Sequence, residues 1–582
     1  MNPKEKWALF SVWDKTGVVD DAKRLVKLGW KIISSGGTAK VLASAGVPVK
    51  DVSELVGGGA ILGHRVVTLS REVHAALLAD ALKHEDLVEL VCLAIPFIDL
   101  VRCDFYPLRQ AIADPNAKVA SVVELTDIGG PCMVRSGAKG LRIVVCRKQD
   151  MKPVLEELEA CGDVCVENRQ SLRARAEYEV AKYVAESAMY HGQGRFRVIA
   201  GEKVCQFKGE NGLQTPAALF SAESDDPLAL KNFALITGTS PSYNNWCDYD
   251  RLLQTMTHLA AAWKLNYGKV PYIAVGAKHG NPCGAAIGNS HQLIVHDMVI
   301  GDSRAIFGGV VMTNFPVTGS VAVAMAEAMT DKKARFDGVV APNFDAYAIQ
   351  TLSRVKGKCR LMVNPALEGE GSAVLDTTPR FRYARGGFLA QPNCTFLLDF
   401  NDPDIKVFGP RNPAVEADLL IAWAIGATSN SNTITIVKDG MLIGNGVGQQ
   451  DRIIAARLAR DRALDAGHGN PVDLVAVATK AIGGLYAGNL PGVSPSFKEV
   501  AKVAVESALA AITKDRLEGA VAYSDSFFPF PDAAEVLIDA GVKAIFSTSG
   551  SINDAAIQEL CVKRGVTLYQ LPDTKARGFF GH

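Results

Sequence analysis

Gly276-Ala277-Lys278-His279-Gly280-Asn281-Pro282-Cys283-Gly284 is the stretch whose reading decides the rest. It follows an apolar run at 270–275, closed by Gly276, that reads as a buried strand. A Lys and a His side by side at the end of such a strand can work together. An imidazole and an amine so placed are expected to make a proton-transfer pair. The Gly, Pro and Gly around them suit a tight turn where backbone approaches a ligand. A solvated turn whose Lys and His do no chemistry fits the same spacing. A zinc site fits it poorly. A nucleobase deaminase needs H-x-E and then P-C-x-x-C, whereas no Glu stands two residues after His279 and Ala286 occupies the second Cys position.

Around this stretch the chain runs to 582 residues, too many for one core, so two to four domains are expected. Lys+Arg and Asp+Glu number 62 each, and a net charge of zero advertises no surface for a polyanion. Neither nucleic acid nor an acidic membrane is the expected partner. Twelve cysteines lie scattered without a C-x-x-C, which fits reduced thiols in the cytoplasm better than a disulfide framework. The start, MNPKEKWALFSV, lacks a signal peptide's apolar core, and no apolar run reaches the roughly 18 residues of a membrane span. The expectation is a soluble cytoplasmic protein.

Residues 1–197 alternate strand and helix. Strands are expected at 7–12 and 31–34, with helices at 18–28 and 38–45 closed by Gly29 and Gly46; further strands are expected at 88–95 and 141–146. This is the α/β pattern of a mainly parallel sheet, whose ligands lie beyond the strands' carboxyl ends. Two strand ends carry anion-binding equipment. Asp14-Lys15-Thr16-Gly17 opens one helix and Ser34-Ser35-Gly36-Gly37-Thr38 opens the next. Backbone N–H groups at helix starts, small hydroxyls and a Lys can cradle a phosphate. Simple capping by Thr16 or Thr38 accounts for the same residues. A helix at 168–189 closes this domain.

In residues 198–582, Ser242-Tyr243-Asn244-Asn245 precedes a helix at 249–265 and reads as a cap and turn or as ligand contacts. Further on, a helix at 416–425, a strand at 433–437, a Gly-rich loop at 444–452 and a helix at 453–463 repeat the layout around 272–290. That repetition points to an internal duplication.

KHGNPCG at 278–284 resembles a motif of the transformylase half of the AICAR transformylase/IMP cyclohydrolase family. Segments along the whole chain are similar to that family's: SVWDKTG, SSGGTAK, LGHRVVTL, DFYPL and DIGGPCMVRSGAK early, then Gly209-Glu210-Asn211, SYNN, Gly308-Gly309, SDSFFPF and a terminus with Arg577 and His582. The resemblance implies an α/β fold: a methylglyoxal-synthase-like parallel-sheet domain at 1–197, then a duplicated cytidine-deaminase-like transformylase region at 198–582. It implies formyl transfer from 10-formyltetrahydrofolate to the 5-amino group of AICAR, giving FAICAR, without zinc and in a homodimer. By resemblance, catalytic roles fall on Lys278, His279 and Asn432, and on Tyr106, Asp127 and Lys139 in the first domain. Substrate contacts fall on Lys15, Ser35, Gly37, Thr38, Arg65, Thr68, Lys208, Asn245, Gly308 and Arg577, and folate contacts on Arg452, Asp525, Phe527, Phe528 and Pro529. His279 would take the amine proton, and Lys278 would stabilise the oxyanion or protonate the departing folate nitrogen.

The chain also departs from the family pattern. Val67 stands where the family has a catalytic Lys, Trp13 replaces a Ser, and Asp104 and Gly140 each replace an Asn. Losing a positioned catalytic group costs on the order of 10²–10⁴ in rate. Ring closure of FAICAR to IMP is therefore expected to be impaired, while the phosphate contacts persist. Phe207 and Lys208 stand where the family has Arg and Tyr. A paralogue acting on an AICAR-like heterocycle and a non-catalytic nucleotide sensor are the other readings.

Overall fold

Strand β1, Trp7–Ser11, is apolar from Trp7 to Phe10, as suits a strand at the centre of a sheet covered on both faces. The computed structural model describes residues 5–63, 65–222, 224–328, 334–466 and 516–580. They divide into two compact units, Met1–Ala200 and Gly201–His582. In the first unit β1 is joined by β2 (Lys31–Ser34), β3 (Val49–Asp51), β4 (Ile98–Cys103) and β5 (Ile143–Val145) in the order β3-β2-β1-β4-β5, every pairing parallel. Leu9 and Val101 bury on one face, and Ala8, Phe10 and Leu100 on the other. Each of these side chains larger than Ala contributes about 1.5–3 kcal/mol. The helix Val166–His191 spans both faces through Leu172, Ala176 and Val180.

The strand expected at 88–95 is a helix, His84–Cys92. Glu85 and Asp86 occupy its first turn, where the helix dipole favours carboxylates. A short apolar run does not separate strand from buried helix, and here the strand, β4, begins only at Ile98.

The second unit is built on one twelve-stranded sheet. One half runs inward as Ala234–Thr237, Arg360–Val363, Gly338–Ala341, Val310–Thr313, Tyr272–Lys278 and Asn281–Gly288. The other runs inward as Lys406–Phe408, Thr567–Pro572, Ala544–Ser549, Val521–Ser524, Ile434–Lys438 and Met441–Gly446. The two innermost strands meet at Ala286 and Met441. Both halves show the same succession from the centre: an antiparallel hairpin, an antiparallel neighbour, two parallel strands and an antiparallel edge. The duplication read from the motif order is thus written in the topology.

The turn around His279 is tighter than the sequence implies. Lys278 ends one strand, Asn281 begins the next, and the two face each other in register. Pro282, Cys283 and Gly284 therefore lie in a strand, and the turn is His279 and Gly280 alone, at φ 54° and 70°. Two positive φ values in a two-residue loop match the twist of the flanking strands. Among the described residues no helix is long and apolar enough to cross a membrane.

Candidate active site

Tertiary structure holds His279 in a conformation its side chain does not favour. A left-handed backbone costs a non-glycine residue about 1–2 kcal/mol, so the turn needs bracing. The brace is Asp248, on the long helix Tyr243–Tyr267, whose carboxylate accepts the Gly280 N–H at 2.8 Å. Burial pushes the Asp248 pKa up, while that N–H and the nearby His279 pull it down. His279 is left exposed at the turn. Next to it, Lys278 Nζ donates to the Phe307 carbonyl at 2.8 Å, which ties it to the Gly308-Gly309 loop.

A second loop closes on this turn. Asn281 Oδ1 accepts the Asn430 N–H at 3.0 Å, and Asn445 Nδ2 reaches the Pro282 carbonyl at 2.9 Å and Ser429 Oγ at 3.2 Å. Asn432 follows a cis peptide and exchanges backbone hydrogen bonds with Gln449 at 3.0 and 3.1 Å. Beyond it, Asp525 is fully buried and forms an ion pair with Arg452, itself 8% exposed. Asp525 Oδ2 has no hydrogen-bond partner among the described residues. The Asp525 carbonyl accepts the Gly578 N–H at 3.1 Å, and Arg577 beside it pairs with Asp573 at 2.5 Å. Asp573 also takes the hydroxyls of Ser526 at 2.9 Å and Thr548 at 2.6 Å. Lys278, His279, Asn432, Arg452, Asp525 and Arg577 thus belong to one bonded chain of loops. His582 lies outside the described residues.

Other expected residues take different parts. Phe528 is 1% exposed within the apolar core of the second half-sheet, so it packs inward, whereas Phe527 is half-buried and Pro529 exposed. Arg452 meets Asp525 and the Thr433 carbonyl. Asn245 closes a capping box with Ser242, its Oδ1 accepting the Ser242 N–H at 3.0 Å, so the cap reading of SYNN describes its contacts. The Gly308 N–H is taken by the Arg335 carbonyl at 2.7 Å, with open space where a Cβ would be. Lys208 is exposed, while Phe207 packs on the core.

In the first unit Lys15, Thr38, Tyr106 and Asp127 gather beyond the carboxyl ends of β1 and β4. Lys15 Nζ donates to the carbonyls of Val12 and Trp13, and burial pushes its pKa down. Thr38 Oγ1 accepts the Val12 N–H at 3.2 Å and donates to the Val12 carbonyl at 3.1 Å, so its hydroxyl braces a strand end. Ser35 is the N-cap residue of Gly36–Ser44, and Gly37 faces the Lys15 stem. Asp127 accepts the Gly130 N–H at 2.9 Å, and burial pushes its pKa up, as it does that of the Tyr106 phenol. Thr68 lies against Gly129, and Arg65 pairs with Glu124 at 2.5 Å. Lys139 is exposed at the far end of the helix Gly129–Lys139, about 15 Å along its axis from the Asp127 end. Gly140 is pressed onto the Leu77 carbonyl, where a side chain would collide.

Sequence reasoning missed three residues. Asp248 carried no signal beyond a polar position on an apolar helix. Arg251, one turn on, donates to the carbonyls of Thr428 and Phe580 and to Asn430 Oδ1, and burial lowers its pKa to about 10. Arg102 is 2% exposed in the middle of the first sheet, and Nε and Nη1 have no partner among the described residues. An Arg at the end of the buried run Leu100-Val101 was the available sign. Among the described residues, no three His, Cys, Asp or Glu side chains form a group that could hold a metal.

Comparison with known proteins bears on both units. The model of the AICARFT/IMPCHase bienzyme family matches residues 139–462, and that of the MGS-like domain matches 17–132. The Bifunctional purine biosynthesis protein PurH of Cutibacterium acnes is 33% identical over 98% of this chain and 98% of its own. The protein of that name from Anoxybacillus flavithermus is 32% identical over 94% of each. A solved structure titled Crystal structure of ForH is 33% identical and covers 32% of this chain and all of its own, at a TM-score of 0.30.

Proposed function

Because the chain belongs to the AICARFT/IMPCHase bienzyme family, we propose that its second unit transfers a formyl group from 10-formyltetrahydrofolate to the 5-amino group of AICAR. The observation that carries this is the braced Lys278–His279 turn, which presents an imidazole and an amine at one strand end. The acceptor amine is conjugated into an imidazole carboxamide and is a poor nucleophile, so removing its proton in a fixed geometry supplies rate. His279 takes that proton. Lys278, held at the Phe307 carbonyl, has two further N–H groups for the developing oxyanion or the departing nitrogen. The folate supplies the formyl carbon. The unpartnered Asp525 Oδ2 fits the amino-bearing edge of a pterin, with half-buried Phe527 beside it, and Asn432 orients the formyl oxygen. Arg577, half exposed, meets the phosphate of the substrate.

The first unit takes the nucleotide ring beside Tyr106 and Asp127, with ring closure slowed by Val67. The protein works in the cytoplasm as a homodimer. An exposed hairpin supports the dimer: Arg380–Ala384 with Gly387–Gln391, where Tyr383 is 82% and Leu389 64% exposed, since two isolated strands hold poorly in water. Light scattering should give twice the chain mass.

In wild type with AICAR and 10-formyltetrahydrofolate, absorbance should report formyl transfer, and His279→Ala should lower it at least about a hundredfold with the fold intact. Near-normal turnover in a folded variant removes His279 from the mechanism. Phe207 packing on the core favours a second reading, an AICAR-like heterocycle without the phosphate. A kcat/KM for the riboside equal to or above that for AICAR would select it.

A further inference from the structure

In the first unit three backbone donors of the Trp13–Thr16 loop face carboxylates of the protein itself. Trp13 N–H donates to Asp104 Oδ1, and the Asp14 N–H faces the same carboxylate. Thr16 N–H donates to Asp14 Oδ1 at 2.9 Å, and Lys15 Nζ turns back onto the Val12 and Trp13 carbonyls. The Trp13 indole lies against Tyr106, with ring centroids 5.1 Å apart. A loop at a strand end, leading into the helix Val18–Lys27, would be expected to offer its N–H groups to a ligand anion. Here a side chain of the protein supplies the anion. Burial pushes the Asp104 pKa up, against the pull of the Trp13 N–H, of Arg102, buried and two residues back on the same strand end, of the Asp14 N–H and of Lys15. Asp127 places a second carboxylate nearby, its pKa also raised by burial.

We propose that Asp104 is a specificity-determining residue of the first unit, an internal anion that occupies the Trp13–Lys15 donor loop and selects against a phosphate dianion in favour of uncharged purine and imidazole nucleosides. The proposal rests on the reading of this unit as a nucleotide-ring site. It adds that the phosphate contacts expected at Lys15 and its loop do not operate while Asp104 is present. A ligand phosphate would have to displace a carboxylate from the same N–H groups and sit beside the Asp104 and Asp127 carboxyl groups, whereas a ribose hydroxyl meets neither cost.

The test is calorimetric titration of the full chain with IMP and with inosine. Wild type should bind the two with affinities within about threefold. Asp104→Asn keeps the acceptor for the Trp13 N–H and removes the charge; it should bind IMP at least tenfold tighter than wild type, with inosine within twofold. Asp104→Ser, shorter and also neutral, should move the same way, so a folding defect in one variant does not decide the matter. A wild type that already prefers IMP tenfold, or variants that tighten both ligands equally, would overturn the proposal. If no protein binds either ligand, the reading of the unit as a nucleotide-ring site falls, and the proposal with it.

Discussion

Asp248 accepts the backbone N–H of Gly280 at 2.8 Å and thereby fixes the turn that carries His279. The second half of the sheet repeats the device. Asp418, on the helix Pro413–Gly426, accepts the Gly440 N–H at 2.8 Å and the Asp439 N–H at 3.0 Å. Asp439 and Gly440 have φ 52° and 78°, and Lys438 faces Met441 as Lys278 faces Asn281. Lys-His-Gly in one repeat is therefore Lys-Asp-Gly in the other. The helix carboxylate belongs to the architecture of the repeat, and the imidazole is what distinguishes the reactive one.

Asp248→Ala and Asp418→Ala should accordingly both cost stability, but activity unequally. The first strands one backbone donor at a strained turn and the second strands two, at about 1–3 kcal/mol for each. Asp248→Ala should lower kcat for formyl transfer about tenfold or more, and Asp248→Asn, which keeps an acceptor, should recover most of it. Asp418→Ala should leave kcat within a factor of two or three. Equal losses of kcat in both alanine variants would show that the turn does not position His279.

Asp418 also has a pH signature. Burial raises its pKa in the folded chain above the usual carboxylate value, against the pull of the Gly440 and Asp439 N–H groups. Across the window between the unfolded and folded values the folded state binds more protons, so this contribution is present below about pH 4 and is lost as pH rises through the folded value. Asp418→Asn removes the titration. The melting temperature of wild type minus that of Asp418→Asn should fall as pH rises from below about 4 towards neutrality. A difference that rises or stays flat would contradict the assigned direction.

Arg452 and Asp525 make a buried pair in which one partner cannot be removed cheaply. Leaving a buried charge unpaired costs about 3–5 kcal/mol. Arg452→Met should therefore destabilise the chain more than Asp525→Asn, which leaves a neutral side chain and a cation at the buried edge. Asp525→Asn should also raise the KM for 10-formyltetrahydrofolate while leaving that for AICAR nearly unchanged. A shift confined to AICAR would move Asp525 out of the folate site.

Much of this was legible from local chemistry. β1, β2 and the helix that follows each agree with apolar periodicity and with the glycines that close the helices, and the strand, Gly-rich loop and helix at 433–463 repeat the order around 272–290. What escaped depends on contacts far apart in the chain. Asp248 meets Gly280 across 32 residues, and Arg251 meets Phe580 across 329. The sequence marks Phe528 as a wall of a site, but which face of a strand end turns inward is set by the helix Asp532–Asp539 packed over it. Thr38 and Lys15 look like open phosphate ligands until the Val12 carbonyl is seen between them.

Val67 provides the sharpest test of the first unit. It is partly buried and packs against the core that contains Val73, Leu77 and Met133, so no amine reaches the ring site from that carbon. Lys139, exposed at the far end of its helix from Asp127, is poorly placed to replace it. The full chain supplied with FAICAR should therefore form IMP at least about a hundredfold more slowly than a relative that has Lys at this position. In Val67→Lys the methylene stem can follow the same apolar surface while the ammonium reaches solvent, so the fold should survive. IMP formation, followed by absorbance, should then rise at least tenfold. Wild-type rates equal to the relative's would show that the substitution is harmless. An inactive but folded Val67→Lys would place the block at Trp13 and Asp104, whose indole and carboxylate already occupy the mouth of the site.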